Sequence, residues 1–146
     1  LRGRNPKKPM IVLISDIRDL KKFGVRLSPN HYSLMANLWP GKVSIILPCR
    51  LKRFSYLHRG TKTLAFRLPA KKNLRELLRN VGPIVAPSVN LEGKPPAQTI
   101  KEAKRYFGDS VDFYVDAGRL SSKPSTLVAV KKGGVTVLRK GAVRIR

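Results

Sequence analysis

Residues 83–96 read Pro-Ile-Val-Ala-Pro-Ser-Val-Asn-Leu-Glu-Gly-Lys-Pro-Pro, and this stretch constrains the fold more tightly than any other. Ile84-Val85-Ala86 is an apolar run with the length of a buried strand. The chain then turns polar at Ser88 and Asn90 and breaks up at Gly93, Pro95 and Pro96. In an extended chain, residues two apart share a side. Ser88 and Asn90 are therefore expected to face one space while Val89 packs behind them. A hydroxyl and an amide where a buried strand stops suit the ligand edge of an α/β sheet. They also suit a polar loop whose Ser and Asn satisfy their own backbone.

The rest of the chain alternates strand and helix signals. Strands are expected at residues 10–14, 43–47, 63–68, 113–116, 126–130 and 135–138. In the third of these, Leu64, Phe66 and Leu68 alternate with Thr63, Ala65 and Arg67. Ser15 or Asp16 caps a short helix through Lys22, stopped near Gly24. Ser28-Pro29 starts a second helix, with Tyr32, Leu34, Met35 and Leu38 inward, that ends at Trp39-Pro40-Gly41. Residues 74–81 form a third helix, stopped by Gly82-Pro83. Thr99 opens a fourth through Phe107, with Glu102 three residues on to make a capping box. Gly133-Gly134 suits a tight hairpin turn. Strands separated by helices give an α/β domain with a partly mixed sheet, and 146 residues suit one domain with a real core.

Charge narrows the partners. Thirty-one Lys and Arg against eight Asp and Glu give +23, a self-repelling surface that suits phosphate-bearing partners: a nucleotide, RNA, or both. Arg50, Lys52, Arg53, His58, Arg59 and Lys62 crowd one loop. No apolar run approaches the ~20 residues of a membrane span, and no signal core opens the chain, so a cytoplasmic protein without a membrane partner is expected. Cys49 stands alone and excludes an internal disulfide; with only His31 and His58 beside it, no metal site is expected.

Common catalytic signatures are missing. Neither Gly41-Lys42 nor Gly93-Lys94 is followed by Ser or Thr, and there is no Gly-x-Gly-x-x-Gly or Gly-x-Ser-x-Gly. His31 and His58 have no evident nucleophile beside them, and Asp116 before Ala117-Gly118 suits a turn. What remains is a set of anion-friendly pieces: Arg2-Gly3-Arg4, Arg67 at a strand end, Ser88-x-Asn90, Ser125-Thr126 opening a strand, and Leu138-Arg139-Lys140-Gly141. Each alone also reads as a solvated face or a turn.

Taken in order, with Trp39-Pro40-Gly41 and Ala65-Phe66-Arg67 between them, these pieces resemble the YrdC/Sua5 family of threonylcarbamoyl-AMP synthases. The likeness spans essentially the whole chain. It departs in three places. The family's Lys-x-Arg stands here as Arg2-x-Arg4, and Arg and Lys differ in shape at a tight phosphate site. The upstream Pro-Thr-Glu-Thr-Val-Tyr-Gly segment of the family is not present, so residues 1–146 are expected to be one YrdC-like domain incomplete at its N-terminus. Leu13 stands where long-form members carry His which, with Lys8 upstream and no extension after Arg146, points to the short form.

The resemblance implies a YrdC-like twisted mixed sheet with helices around a basic concave cavity. It implies the reaction of ATP, L-threonine and bicarbonate to threonylcarbamoyl-AMP and pyrophosphate, with Mg2+ accompanying the triphosphate. By position, Arg2, Arg4, Lys8, Thr63, Ser88, Asn90 and Arg139 fall to ATP, with Arg4 and Arg139 as the catalytic cations. Arg67, the Ala86 carbonyl and Ser125 fall to threonine and its carbamate. The implied partners beyond the substrates are RNA or tRNA and a downstream threonylcarbamoyl-transferase complex. Two further readings stay beside this one: an RNA-binding protein of the same fold without catalysis, and a carbamoyl-transfer accessory domain like those of hydrogenase-maturation proteins, which the short chain disfavours.

Overall fold

Six short strands, most of them apolar runs stopped by Gly, Pro or a helix cap, make one mixed sheet. A computed structural model describes residues 3, 10–131 and 134–145. The strands are β1 (Ile11–Leu13), β2 (Val43–Pro48), β3 (Thr63–Arg67), β4 (Ile84–Val85), β5 (Thr126–Lys131) and β6 (Gly134–Arg139), in the order β4-β1-β3-β2-β5-β6. β1 runs parallel to β3 and β2 to β5; the other three pairings are antiparallel. The helices are α1 (Pro29–Leu38), α2 (Ser55–His58), α3 (Lys72–Val81) and α4 (Ile100–Phe107), with 3-10 turns at Ile17–Phe23 and Lys52–Phe54. The described residues form two compact units: one holds the sheet and takes residues 10–86 and 123–145, the other is built around residues 87–122.

In the sheet unit, strand alternation separates two faces. Val12, Val43, Ile45, Leu47, Leu64, Phe66 and Val128 are all buried and share the first face by register. Leu20 and Phe23 of the first 3-10 turn, Leu34 and Met35 of α1, and Trp39 complete that core. Phe23 meets Phe66 edge-on at 5.0 Å between ring centroids. The second face carries Ile11, Leu13, Ser44, Ile46, Thr63, Ala65, Arg67, Leu127, Ala129 and Arg139. This second face is the more polar of the two: Ser44, Thr63, Arg67 and Arg139 share it with six apolar residues.

Several expectations need correcting. The short helix expected before Gly24 is present, capped by Asp16 and ended by Gly24, but it is a 3-10 helix that runs through Phe23. Tyr32 is 57% exposed, because it lies off the helical arc that Leu34, Met35 and Leu38 share. At α4, the Thr99 hydroxyl accepts the Glu102 N–H at 3.2 Å, but the Glu102 carboxylate takes the Gln98 N–H at 2.7 Å, one residue before the cap. Ile84–Val85 is a half-buried two-residue edge strand. Residues 113–116 form no strand, and Phe113 and Val115 are 77% and 75% exposed. Alternation supplies the strand period there, but no strand lies among the described residues of that unit to pair with it. Gly133, in the expected hairpin turn, lies outside the described residues; the β5–β6 ladder runs out to Lys131 opposite Gly134.

Candidate functional site

Arg67 ends β3 on the polar face, and its Nε donates to the Gly41 carbonyl at 2.9 Å. The Trp39-Pro40-Gly41 turn is what holds that carbonyl in place. Trp39 Nε1 donates to the Val43 carbonyl at 2.8 Å and the Gly41 N–H to the Leu68 carbonyl at 2.8 Å. A Cβ at Gly41 would come within 2.7 Å of the Leu38 carbonyl, so only glycine fits this turn. Among the described residues the two terminal nitrogens of Arg67 have no partner, and no carboxylate pairs with it. Burial pushes its guanidinium below the usual arginine range.

Arg139, at the end of β6, clasps the start of β5. Its Nη2 donates to the Ser125 carbonyl at 2.8 Å and the Ser125 hydroxyl at 3.2 Å, and Nε reaches the same carbonyl at 3.3 Å. Burial lowers this arginine's pKa also. The Ser125 hydroxyl lies 2.9 Å from that of Ser44 on β2, and both residues are buried. The chain after Arg139 is laced to the same place. Ala142 N–H donates to the Pro124 carbonyl, and Thr126 and Val143 exchange bonds of 2.6 and 3.0 Å through the Thr126 hydroxyl. A Cβ at Gly141 would lie 2.5 Å from Thr126 N, so the glycine of Leu138-Arg139-Lys140-Gly141 lets the two segments touch.

Thr63 opens β3 opposite Pro48, with its hydroxyl near that of Thr61 at 3.4 Å. Alternation puts Thr63 and Arg67 on the same face, about 13 Å apart along the strand. Ala86 closes β4 by donating its N–H to the Ile11 carbonyl at 2.9 Å. Thr63, Arg67, Ser125 and Arg139 are thus carried by one sheet. Arg2, Arg4 and Lys8 lie outside the described residues.

In the second unit, Ser88 and Asn90 do come together, though not through an extended strand. The Ser88 hydroxyl donates to Asn90 Oδ1 at 2.8 Å, while Asn90 N–H bonds the Ser88 carbonyl at 3.1 Å and so bends the chain. Asn90 Nδ2 bonds the Leu91 and Lys94 carbonyls at 3.0 and 2.7 Å. Val89 is 44% exposed and does not pack behind the pair. Ser88 borders a hollow of about 370 Å³ with apolar walls that include Ala103, Phe107 and Phe113.

Asp116 accepts the Gly118 N–H at 2.8 Å in a turn, and His31 Nδ1 accepts the Ser28 N–H at 3.1 Å at the start of α1. His58 is buried and accepts the Gly60 N–H at 3.2 Å. Two participants escaped sequence reasoning: Ser44 and the Gly41 carbonyl. The signal for Ser44 was its place as the lone polar residue in the apolar run Val43-Ser44-Ile45-Ile46-Leu47. Among the described residues no group of three His, Cys, Asp or Glu is placed to hold a metal ion, and no helix is long and apolar enough to cross a membrane.

The family model for Sua5, YciO and YrdC, described as "Telomere recombination", matches residues 1–141. A threonylcarbamoyl-AMP synthase of Idiomarina loihiensis is 34% identical over 120 residues, covering 80% of this chain and 64% of that protein. One from Thiobacillus denitrificans is 33% identical over 138 residues, covering 92% of this chain and 72% of that one. Among solved structures, P. abyssi Sua5 complexed with L-threonine superposes with a TM-score of 0.84 at 25% identity, covering 96% of this chain and 42% of that chain. The chain therefore spans only part of each relative's length.

Proposed function

The chain belongs to the Sua5/YciO/YrdC family, and on that premise we propose that it is an L-threonylcarbamoyl-AMP synthase. It joins ATP, L-threonine and bicarbonate into threonylcarbamoyl-AMP and pyrophosphate, supplying N6-threonylcarbamoyladenosine formation in tRNA through a downstream transferase complex. The observation that carries the reading is that Arg67, half-buried, and Arg139, exposed but clasped onto Ser125, lie on the same face of one sheet. Both lack a carboxylate partner among the described residues. Relatives named threonylcarbamoyl-AMP synthase, and a neighbour solved with L-threonine, support it.

The reaction is attack of a carbamate oxygen on the α-phosphorus with loss of pyrophosphate. It brings two anions together, and fixed cations can drive it by positioning and charge neutralisation without a His or carboxylate base. Arg139 serves the phosphates as a catalytic cation, with Arg4 as the second, while Arg2, Lys8, Thr63, Ser88 and Asn90 complete the ATP contacts. Arg67, the Ala86 carbonyl and Ser125 orient threonine and its carbamate. Mg2+ would accompany the triphosphate as part of the substrate and would offset its charge; among the described residues no group of three His, Cys, Asp or Glu is placed to hold it.

The test is threonine-dependent pyrophosphate release from ATP in bicarbonate buffer. The wild type should release it, and Arg139→Ala should be slower by on the order of 10²–10³. Release that is equal in the variant, or indifferent to threonine, would refute the assignment.

A further inference from the structure

We propose that a hollow in the second unit is a binding site for a free acidic α-amino acid, L-glutamate or L-aspartate. It measures about 380 Å³, the size of a small-molecule site. Pro95, Pro96 and the Tyr106 ring give its apolar surface, while Gln98, Glu102, Arg105 and Arg119 bring charge and hydrogen-bonding groups to it. Most of these side chains are pinned. The Tyr106 hydroxyl donates to the Pro95 carbonyl at 3.0 Å, and Arg119 Nη2 to Gln98 Oε1 at 2.7 Å. Gln98 is fixed in turn: its N–H donates to Glu102 Oε2 at 2.7 Å, and its carbonyl accepts the Leu120 N–H at 2.7 Å. On α4, Glu102, Arg105 and Tyr106 stand three and four residues apart and share a face. Ala103 and Phe107 share another, which borders the hollow beside Ser88. The two hollows therefore occupy different sides of one helix.

The pinning leaves a defined set of open valences. Among the described residues neither Arg105 nor Arg119 has a carboxylate partner, and Glu102 Oε1 and Gln98 Nε2 make no hydrogen bond. Two guanidinium groups and one carboxylate are complemented by two carboxylates and one ammonium, which are the charges of glutamate and aspartate at neutral pH. Each guanidinium can take a carboxylate through paired N–H donors. Gln98 Nε2 adds a further donor, and Glu102 Oε1 accepts the ammonium. A phosphate or a plain dicarboxylate would satisfy the arginines but set negative charge against Glu102. L-Threonine, with one carboxylate, would leave an arginine unmatched. The synthase reaction gives these residues no task.

The test is a ligand-observed NMR titration of the whole chain with L-glutamate and with L-aspartate, without ATP. At least one should bind saturably, and an excess of L-threonine should not displace it. N-Acetyl-L-glutamate and glutarate, which lack the ammonium, should bind roughly 10- to 100-fold more weakly than glutamate. Arg105→Ala and Arg119→Ala should each weaken glutamate binding by a similar factor. Arg105→Ala should keep the wild-type melting temperature, because that side chain is exposed and unbonded among the described residues. Glu102→Gln keeps an acceptor for the Gln98 N–H, so it should weaken glutamate but tighten glutarate. Lys72→Ala, an equal charge loss at the exposed start of α3, should leave glutamate binding unchanged. Saturable binding of neither amino acid, displacement by threonine, glutarate as tight as glutamate, or equal loss in Lys72→Ala would each overturn the proposal. The first three are read on the wild type and depend on no variant folding. If glutamate binds as expected while the wild type releases no pyrophosphate, the synthase reading fails and this one survives.

Discussion

The hydroxyl oxygens of Ser44 and Ser125 lie 2.9 Å apart inside the sheet, although 81 residues separate them in the chain. Arg139 can only donate, so the Ser125 oxygen accepts from it. Ser44 has no other side-chain hydrogen bond among the described residues. In the arrangement where Ser44 donates as well, the Ser125 proton is free for the threonine of the proposed reaction. Ser44→Ala removes that constraint. It should raise KM for threonine roughly 3- to 10-fold, the worth of one neutral hydrogen bond, with kcat nearly unchanged. Steady-state kinetics with varied threonine check this; an unaltered KM would make Ser44 a packing residue.

Gly141 tests the lacing of the β6 end onto Ser125. An added Cβ meets the Pro124 carbonyl and the backbone of Ser125 and Thr126, which cannot move aside as a flexible side chain can. Gly141→Ala should cost about 1–3 kcal/mol by overpacking and depress threonine-dependent activity. Gly60→Ala has open space around the new Cβ but a left-handed backbone (φ 85), so it should lose some stability through backbone strain while keeping the activity. Denaturant melts and pyrophosphate release on the same samples separate the two effects.

Arg67→Lys keeps the charge and loses the fork. Lysine cannot hold the Gly41 carbonyl through a nitrogen at the Nε position while presenting two more donors to a carboxylate. A drop in kcat/KM for threonine on the order of 10² is expected, with unchanged thermal stability. A variant at wild-type rate would remove Arg67 from the substrate contacts.

Asp19 governs acid stability. Burial alone would raise its pKa, but bonds from Lys22 at 2.9 Å and from the Ser15 hydroxyl and N–H at 2.8 and 3.0 Å hold it below the usual carboxylate range. A carboxylate with a lowered folded-state pKa adds stability at pH values above its unfolded pKa, and that stability is lost as pH falls through the folded one. Wild-type stability should therefore decline below about pH 4, and Asp19→Asn should flatten that limb while lowering stability at pH 7. Urea melts across pH 2–7 measure both.

Much of this architecture was legible because its signals are local. Ser28-Pro29, Gly24 and the apolar runs of β2, β3 and β5 punctuate the chain where the elements begin and end. Arg67, Ser125 and Arg139 stood out as polar groups at strand ends for the same reason. What escaped depends on register between distant strands: Ser44 matters only because β2 lies beside β5, which brings it to Ser125. The two-apart rule for Ser88 and Asn90 predicted their company but not the bend that produces it, since it assumes an extended chain. Residues 113–116 show the converse error, a strand pattern with no neighbour to complete it.

The central claim is that this sheet joins threonine's carbamate to AMP. Incubating the protein with ATP, threonine and carbon-labelled bicarbonate, then separating the nucleotides, tests it directly. The account predicts label in an AMP adduct only when threonine is present, and greatly reduced label with Arg139→Ala. A folded wild-type protein that transfers no label to any nucleotide, or transfers it equally without threonine, would contradict it.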